Sequence, residues 1–161
     1  MFRVMANTPK AAVIASIKDF AARAKQTPPG ETIRVLVVDD EEPVRKFVAR
    51  VLKDAGYDIT MAGDGPEAID AASKMGALDI LVTDVMMPMM TGDELARRIR
   101  QNETKVKVLY LTGFADRLFK EKTTLWEDEA FLDKPCSVAG LRQAVSLLYY
   151  GTTDGRPQAA S

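Results

Sequence analysis

The stretch LVTDVMMPMMTG, residues 81–92, passes from an apolar run into turn residues, and Asp84 lies at the junction. An apolar run of this kind is typical of a strand that is buried on both faces. A carboxylate at its end is costly unless a cation or hydrogen bonds meet it. We therefore interpret Asp84 as the end of a buried strand and as a candidate functional residue.

Apolar runs and amphipathic segments alternate along the central block of the chain. We predict strands at Ile33–Val38, Tyr57–Ala62, Leu78–Thr83, Lys105–Leu111 and Ala130–Leu132. Apolar residues spaced by three and four predict helices that begin near Pro43, Asp64, Gly92 and Ser137, with an irregular helix over Ala115–Glu129. This order predicts a (βα)5 domain of the α/β class, with a doubly wound parallel five-stranded sheet and helices on both faces.

Polar residues follow four of these strands. They are Asp39, Asp40, Asp84, Thr112 and Lys134. In an open parallel sheet the ligand crevice lies at the carboxyl ends of the strands, so these side chains are expected to meet there. Several carboxylates in one crevice repel each other unless a hard cation such as Mg²⁺ joins them. An aspartate can attack phosphorus, and a lysine and a hydroxyl group can neutralise phosphoryl oxygens, so the set predicts a metal-dependent phosphoryl-transfer site.

Each of these residues also has a purely structural interpretation. Asp84 alone could be a turn former, and Asp39 and Asp40 could favour the start of the next helix. Thr112 and Lys134 alone could be an ordinary turn residue and a solvated surface lysine. Their shared position on one crevice edge favours the functional interpretation.

Composition narrows the classes of function. The chain has 161 residues, of which 47 % are hydrophobic, and 22 basic against 23 acidic residues give a net charge of −1. This balance does not indicate a nucleic acid or an anionic membrane as partner. The single cysteine, Cys136, excludes an intramolecular disulfide and fits a cytoplasmic protein without a membrane span. The absence of histidine excludes Ser-His-Asp and Cys-His catalysis and histidine-ligated zinc.

The two ends of the chain differ from the block between them, residues 32–150. Residues 1–31 are predicted to form a helical extension and a linker, with a stripe of Val13, Ile17, Phe20 and Ala24 at a 4-3-4 spacing. One hypothesis is that the stripe forms a homodimer, and the alternative is that it packs on the domain's own surface. Residues 151–161 are small and polar, and we predict a disordered tail.

Four motifs, taken in order, resemble those of the response-regulator receiver domain of bacterial two-component signalling. They are VVDD at Val37–Asp40, TDVMMPMMTG at Thr83–Gly92, LTG at Leu111–Gly113 and FLDKP at Phe131–Pro135. The resemblance covers roughly residues 33 to 149. It implies the flavodoxin-like receiver fold with strand order 2-1-3-4-5, here with an extra N-terminal helix. The chain departs from the family pattern at Cys136, where an aromatic residue is common, and at Trp126–Glu127, in place of a glycine–alanine pair.

The resemblance implies a chemistry for the acidic residues. Asp84 matches the aspartate that accepts a phosphoryl group from a phosphohistidine of a sensor histidine kinase or a phosphotransfer protein. Asp39, Asp40 and Asp84, with the backbone carbonyl of Met86, match the Mg²⁺ ligands. Such a domain phosphorylates and dephosphorylates itself, so it is a switch rather than a turnover enzyme.

The resemblance also implies a signalling device. Thr112 and Lys134 match the catalytic hydroxyl and lysine that meet the phosphoryl group, and Lys134–Pro135 would be a cis peptide. Thr112 and Phe131 match the pair of switch residues that move together. Only 11 residues follow Tyr150, too few for a helix-turn-helix, so we expect the signal to leave through contact with a downstream protein.

Four other interpretations remain open from the sequence. A phosphatase of the haloacid dehalogenase type needs a second aspartate two residues after the nucleophile, where this chain has Met86. The domain could instead be a receiver-fold interaction module or a phosphorelay intermediate. It could also be the receiver part of a hybrid histidine kinase.

Overall fold

The computed structural model describes residues 32–113 and 128–151. The strands are β1 (Arg34–Val38), β2 (Asp58–Ala62), β3 (Ile80–Asp84), β4 (Lys107–Thr112) and β5 (Glu129–Asp133). The helices are α1 (Glu42–Asp54), α2 (Gly65–Met75), α3 (Gly92–Arg100) and α4 (Val138–Gly151). The hypothesised N-terminal helix, nearly all of the irregular helix predicted over Ala115–Glu129 and the tail beyond Gly151 lie outside the described residues.

The five strands form one parallel sheet in the order β2-β1-β3-β4-β5, which confirms the predicted fold. The register pairs Val38 with Thr83, and Asp84 with Leu111. The carboxyl ends of the three central strands therefore reach the same edge of the sheet. The polar residues that follow these strands are carried to that edge together.

Two hydrophobic cores cover the two faces of the sheet. Val35 and Val37 belong to the core beneath α1 and α4, whereas Leu36 and Val38 belong to the core beneath α2 and α3. All four side chains are fully buried, and each contributes roughly 1.5–3 kcal/mol by leaving water. Burial on both faces is the reason why this strand reads as an unbroken apolar run rather than as an alternating one.

Side-chain caps determine where two of the helices begin. Before α2, Asp64 Oδ1 accepts the N–H of Glu67 at 2.8 Å, and Glu67 Oε1 accepts the N–H of Gly63 at 2.7 Å. This reciprocal pair satisfies backbone donors that the first helical turn leaves free. Ser137 Oγ accepts the N–H of Gly140 at 2.9 Å, which confirms the predicted start of α4. None of the helices in the described ranges is long and apolar enough to cross a membrane.

The structure shifts most of the predicted strand boundaries by one or two residues. β1 to β4 begin later than predicted, at Arg34, Asp58, Ile80 and Lys107, and β3 to β5 end one residue later, at Asp84, Thr112 and Asp133. β5 begins at Glu129 rather than at Ala130. An acidic residue can occupy the buried strand position 129 because its carboxylate meets the guanidinium group of Arg100 at 2.7 Å. Strand propensity alone disfavours glutamate, so the sequence did not indicate this position.

Candidate phosphoacceptor site

Three aspartates converge at the carboxyl edge of the sheet. Asp39 follows β1 and is fully buried, Asp84 ends β3 and is buried, and Asp40 is exposed. Each offers one carboxylate oxygen, and these oxygens all lie within 4.8 Å of one another. The structure thus brings together the three acids that the strand order predicted at one crevice.

Backbone contacts hold the Asp39 carboxylate in one orientation. Its Oδ1 accepts the N–H of Glu41 at 2.9 Å, and Arg45 Nη1 donates to the Asp39 backbone carbonyl at 2.7 Å. Its Oδ2 is buried and lies 2.9 Å from Lys134 Nζ. The backbone therefore anchors one oxygen, while the other faces the cationic group of the crevice. The supporting roles of Glu41 and Arg45 were not predicted, because neither residue lies at a strand end.

Lys134 lies between two of the aspartates. Its Nζ is 2.9 Å from Asp39 Oδ2 and 3.4 Å from Asp84 Oδ2, and it is 3.8 Å from a carboxylate oxygen of the exposed Glu41. Burial opposes the charge of Lys134, but the hydrogen bond and attraction of Asp39, with Asp84, outweigh it and raise the pKa of the ammonium group. The peptide bond Lys134–Pro135 is cis, as the resemblance implied.

The charge balance of this crevice is incomplete. Burial, with repulsion from Asp39 and Asp40, raises the pKa of Asp84 to about 6, and Lys134 offsets only part of this rise. Three carboxylates that share one lysine would gain from a further cation. Their hard oxygen ligands are those that Mg²⁺ prefers, and three carboxylate oxygens within 4.8 Å of one another can meet one ion. The residues present therefore suit a magnesium site.

The backbone behind Asp84 is closely packed against the start of α3. The N–H of Gly92 donates to the carbonyl of Val85 at 2.8 Å. A Cβ atom at position 92 would lie 2.2 Å from the Asp84 carbonyl oxygen and 3.1 Å from a methyl group of Thr83. Only glycine permits this approach, so Gly92 shapes the loop that leaves the candidate nucleophile.

The remaining predicted residues occupy the same region with less direct evidence of a role. Thr112 is buried at the end of β4, and its carbonyl accepts the N–H of Lys134 at 2.9 Å. Phe131 is partly buried and packs on the core beneath α2 and α3. Met86 follows β3 in the loop and is 36 % exposed. The switch roles of Thr112 and Phe131 and the metal contact of the Met86 carbonyl stay predictions.

The raised pKa of Asp84 predicts a pH-dependent stability when metal is removed. A carboxyl group whose pKa rises on folding binds its proton more tightly in the folded state, so its contribution is present below the unfolded pKa near 3.8 and is lost as pH rises through about 6. We expect Asp84→Asn in EDTA to stabilise the protein by about 2 kcal/mol at pH 7 and by much less at pH 4. Urea denaturation of both proteins at both pH values measures this difference. An advantage for the variant that stays constant from pH 4 to pH 7 would contradict it.

Comparison with known proteins identifies the family. The family model for the response regulator receiver domain matches residues 35–146. The chain belongs to the response regulator receiver family. For this receiver domain, the strand order of the sheet thus agrees with an independent comparison of sequence.

Two relatives and one solved structure illustrate the similarity. The sensor kinase CckA of Brucella abortus is 35 % identical over 112 residues, which are 69 % of this chain and 12 % of the kinase. The response regulator receiver protein CpdR of Brucella abortus is 32 % identical over 102 residues, which are 63 % of this chain and 84 % of CpdR. The crystal structure of the chemotaxis response regulator CheY4 of Vibrio cholerae matches with a TM-score of 0.63 and 31 % identity, over 73 % of this chain and 99 % of CheY4.

These coverages bear on the alternatives left open by the sequence. The receiver matches only a small part of the CckA kinase but most of CpdR. Receivers of both kinds thus match this chain, and membership of the receiver family replaces the phosphatase alternative. Receiver domains generally bind Mg²⁺ at an acidic pocket and are paired with histidine kinases or phosphotransfer proteins.

Proposed function

We propose that this receiver accepts a phosphoryl group on Asp84 from a phosphohistidine of a sensor histidine kinase or phosphotransfer protein. The observation that carries the proposal is the convergence of three carboxylate oxygens within 4.8 Å, with Lys134 reaching both Asp39 and Asp84. A partly buried lysine between two acids would be satisfied by a simple ion pair. The third acid leaves an excess of negative charge that raises the pKa of Asp84 and favours a cation, which would in turn offset the charge of a phosphoryl group.

The transfer follows from the geometry of the nucleophile. A carboxylate oxygen of Asp84 forms the new P–O bond, and the P–N bond of the donor breaks, with its electron pair staying on the imidazole nitrogen. Lys134 is close enough to Asp84 to pair with the transferred group. Mg²⁺, bound by Asp39, Asp40 and Asp84, would supply positive charge to the phosphoryl oxygens during transfer. Nothing in this reaction requires a histidine in the receiver itself.

The other roles belong to the same proposal. We assign the Met86 backbone carbonyl as a further Mg²⁺ ligand and the Thr112 hydroxyl as a hydrogen-bond donor to the phosphoryl group. Phe131 then turns inward as Thr112 moves. Support comes from the motifs, from the burial of Thr112 at the end of the strand beside β3, and from Phe131 lying on the neighbouring strand.

Exposed apolar side chains around the crevice support a protein donor. Within the described ranges, the exposed large hydrophobic residues are Phe47, Met61, Met86, Met89 and Val138. All of them lie near the carboxyl ends of the strands, in the loops that follow, or in the first half of a following helix. Apolar surface gathered at one edge is typical of a protein contact. A small-molecule phosphodonor would not need it.

The proposal extends to the output of the switch. We propose a downstream protein as the target and the cytoplasm as the compartment. A phosphorelay intermediate would use the same chemistry at Asp84. The homodimer through Val13, Ile17, Phe20 and Ala24 stays a hypothesis, because these residues lie outside the described ranges.

Phosphorylation of the purified full chain by acetyl phosphate tests the proposed chemistry. With Mg²⁺ we expect an intact mass increased by one phosphoryl group, and we expect no adduct with EDTA or with Asp84→Asn. Asp54→Asn, at the exposed end of α1, is the matched control and should be phosphorylated like the wild type. A wild-type protein that is folded and binds Mg²⁺, yet takes no phosphoryl group from acetyl phosphate or from a phosphorylated histidine donor, would favour the interaction-module alternative instead.

A further inference from the structure

A second polar network, partly buried, lies between α3 and the strands β4 and β5, apart from the acidic crevice. The side chain of Glu129 in β5 has 0 % exposure, and its Oε2 accepts a hydrogen bond from Arg100 at the end of α3, at 2.7 Å. Tyr110 in β4 is also fully buried. Its hydroxyl oxygen is 3.1 Å from Glu129 Oε2 and 3.4 Å from Oδ1 of Asp93, in the first turn of α3. One network therefore joins α3, β4 and β5.

The hydroxyl group of Tyr110 is the junction of this network. It has a single proton to donate, and two carboxylates lie within reach of it. Burial, together with the neighbouring carboxylates of Glu129 and Asp93, raises the pKa of Tyr110, so the hydroxyl keeps that proton at neutral pH. Glu129 has a second donor in Arg100. The Tyr110 hydroxyl can consequently turn its hydrogen bond from Glu129 to Asp93, while Arg100 still pairs with the Glu129 carboxylate.

Both ends of this junction lead to the phosphoacceptor site. Asp93 directly follows Gly92, whose Cα lies so close to the Asp84 carbonyl that an added Cβ would be 2.2 Å from its oxygen. Tyr110 stands two residues before Thr112 on the same strand and is paired with Phe131 of β5. The same β5 strand leads, one residue after its end, to Lys134. A small displacement at Asp84 would therefore reach α3 and β5 through one hydroxyl group.

Stability alone does not account for the network. Apolar side chains of similar volume usually stabilise a buried site as well as an ion pair does, whereas an ion pair with shared hydrogen bonds imposes one geometry. Removing only the hydroxyl of Tyr110 leaves the ring to fill the same space. Tyr110→Phe therefore removes the hydrogen bonds of the hydroxyl group and keeps the packing of the ring.

We propose that the Tyr110 hydroxyl is a positioning group, which couples the first turn of α3, packed on Asp84, to the strand that carries Phe131 and leads to Lys134. The inference rests on the proposed function and specifies how the occupied site is communicated to β5. Tyr110 does not touch the reacting atoms. Its hydrogen bonds hold the carboxylates of Asp93 and Glu129 at set distances from each other. These distances change when the phosphoacceptor site is filled.

Amide NMR of the ¹⁵N-labelled full chain tests this coupling. Mg²⁺ with beryllofluoride serves as the stand-in for a phosphoryl group on Asp84. In the wild type we expect shifts both at Asp84–Gly92 and across β5, residues 129–133. In Tyr110→Phe the shifts at Asp84–Gly92 should persist. The population of the shifted β5 state should fall by roughly 2- to 10-fold, the effect of one hydrogen bond on an equilibrium.

Matched variants decide between positioning and packing. Tyr57→Phe removes the hydroxyl of a partly buried tyrosine, which lies before β2, and should behave like the wild type. Asp93→Ala should reproduce the effect of Tyr110→Phe, whereas Asp93→Asn keeps an acceptor oxygen and should restore the β5 response. If Tyr110→Phe does not fold, the Asp93 pair carries the same test.

The outcomes separate this inference from the proposed function. A β5 response that is unchanged in both Tyr110→Phe and Asp93→Ala would overturn the coupling, although the phosphoacceptor chemistry would stand. A folded wild type that binds Mg²⁺ but shows no beryllofluoride-dependent shift at Asp84 would overturn both.

Discussion

Replacing Gly92 with alanine is expected to destabilise the folded protein by roughly 3 kcal/mol. The added methyl carbon would lie 2.2 Å from the Asp84 carbonyl oxygen, 3.1 Å from its carbonyl carbon and 3.1 Å from a methyl group of Thr83. The first two of these neighbours are backbone atoms, which cannot rotate out of the way as a side chain can. Either α3 moves away from the sheet or the end of β3 bends, and both changes displace Asp84.

Gly113→Ala provides the matched control for this substitution. A Cβ atom at position 113 meets no atom of the described residues within 4 Å, so its effect measures the loss of backbone freedom without a steric conflict with them. Urea denaturation of the three proteins gives the free energies of unfolding. The close packing of α3 on Asp84 would be refuted if the two alanine variants were equally stable. Because the loop after Asp84 moves with α3, we also expect Gly92→Ala to take up phosphoryl groups more slowly than Gly113→Ala.

Replacing Arg100 with methionine is expected to cost about 3 kcal/mol. Glu129 has no exposed side-chain surface, and Arg100 Nη1 lies 2.7 Å from its Oε2. The substitution keeps much of the aliphatic volume but leaves a carboxylate in the core without its cation. A buried charge that has lost its cation is far more costly than a lost surface pair.

Arg98 offers a matched control on the same helix. It also forms a 2.7 Å ion pair, with Glu94, but the side chains of Arg98 and Glu94 are 51 % and 36 % exposed. Exposed pairs of this kind contribute about 0.3–0.5 kcal/mol, so Arg98→Met should change stability little. The double variant Arg100→Met with Glu129→Met should recover most of the loss, since it removes both charges. Equal effects of Arg98→Met and Arg100→Met in urea denaturation would be evidence against a buried pair.

Local sequence patterns predicted most of the architecture because each strand and helix depends on which faces it buries. Continuous apolar runs such as Val35–Val38 indicated strands covered on both faces, and steps of three and four indicated helices. The predicted cap at Ser137 was also correct, because capping depends on residues only three positions apart. The boundaries of β3 and β5 were wrong by one residue at Asp84 and Glu129, where a charged residue belongs to a strand, and most strands began one or two residues later than predicted.

Prediction of the site relied on a rule about folds rather than on the residues singly. Asp39, Asp84 and Lys134 are far apart in the chain, and each by itself could be an ordinary turn, helix-start or surface residue. They became a site only once the strands were placed side by side, because parallel strands present their carboxyl ends at one edge. The structure then supplied the distances of 2.9 and 3.4 Å that link Lys134 to the two acids.

The sequence by itself determined the alternating strand and helix order, the residues that face the two cores, and the edge at which the acidic residues meet. These features depend on hydrophobic periodicity and on the order of the elements along the chain, and both can be recognised from the spacing of residues in the sequence. Only the tertiary structure decided that Glu129 is a buried partner of Arg100 and Tyr110, and that Gly92 is pressed against Asp84. Those contacts join residues from different elements, and their energies depend on distance and burial, which no local pattern in a single chain records.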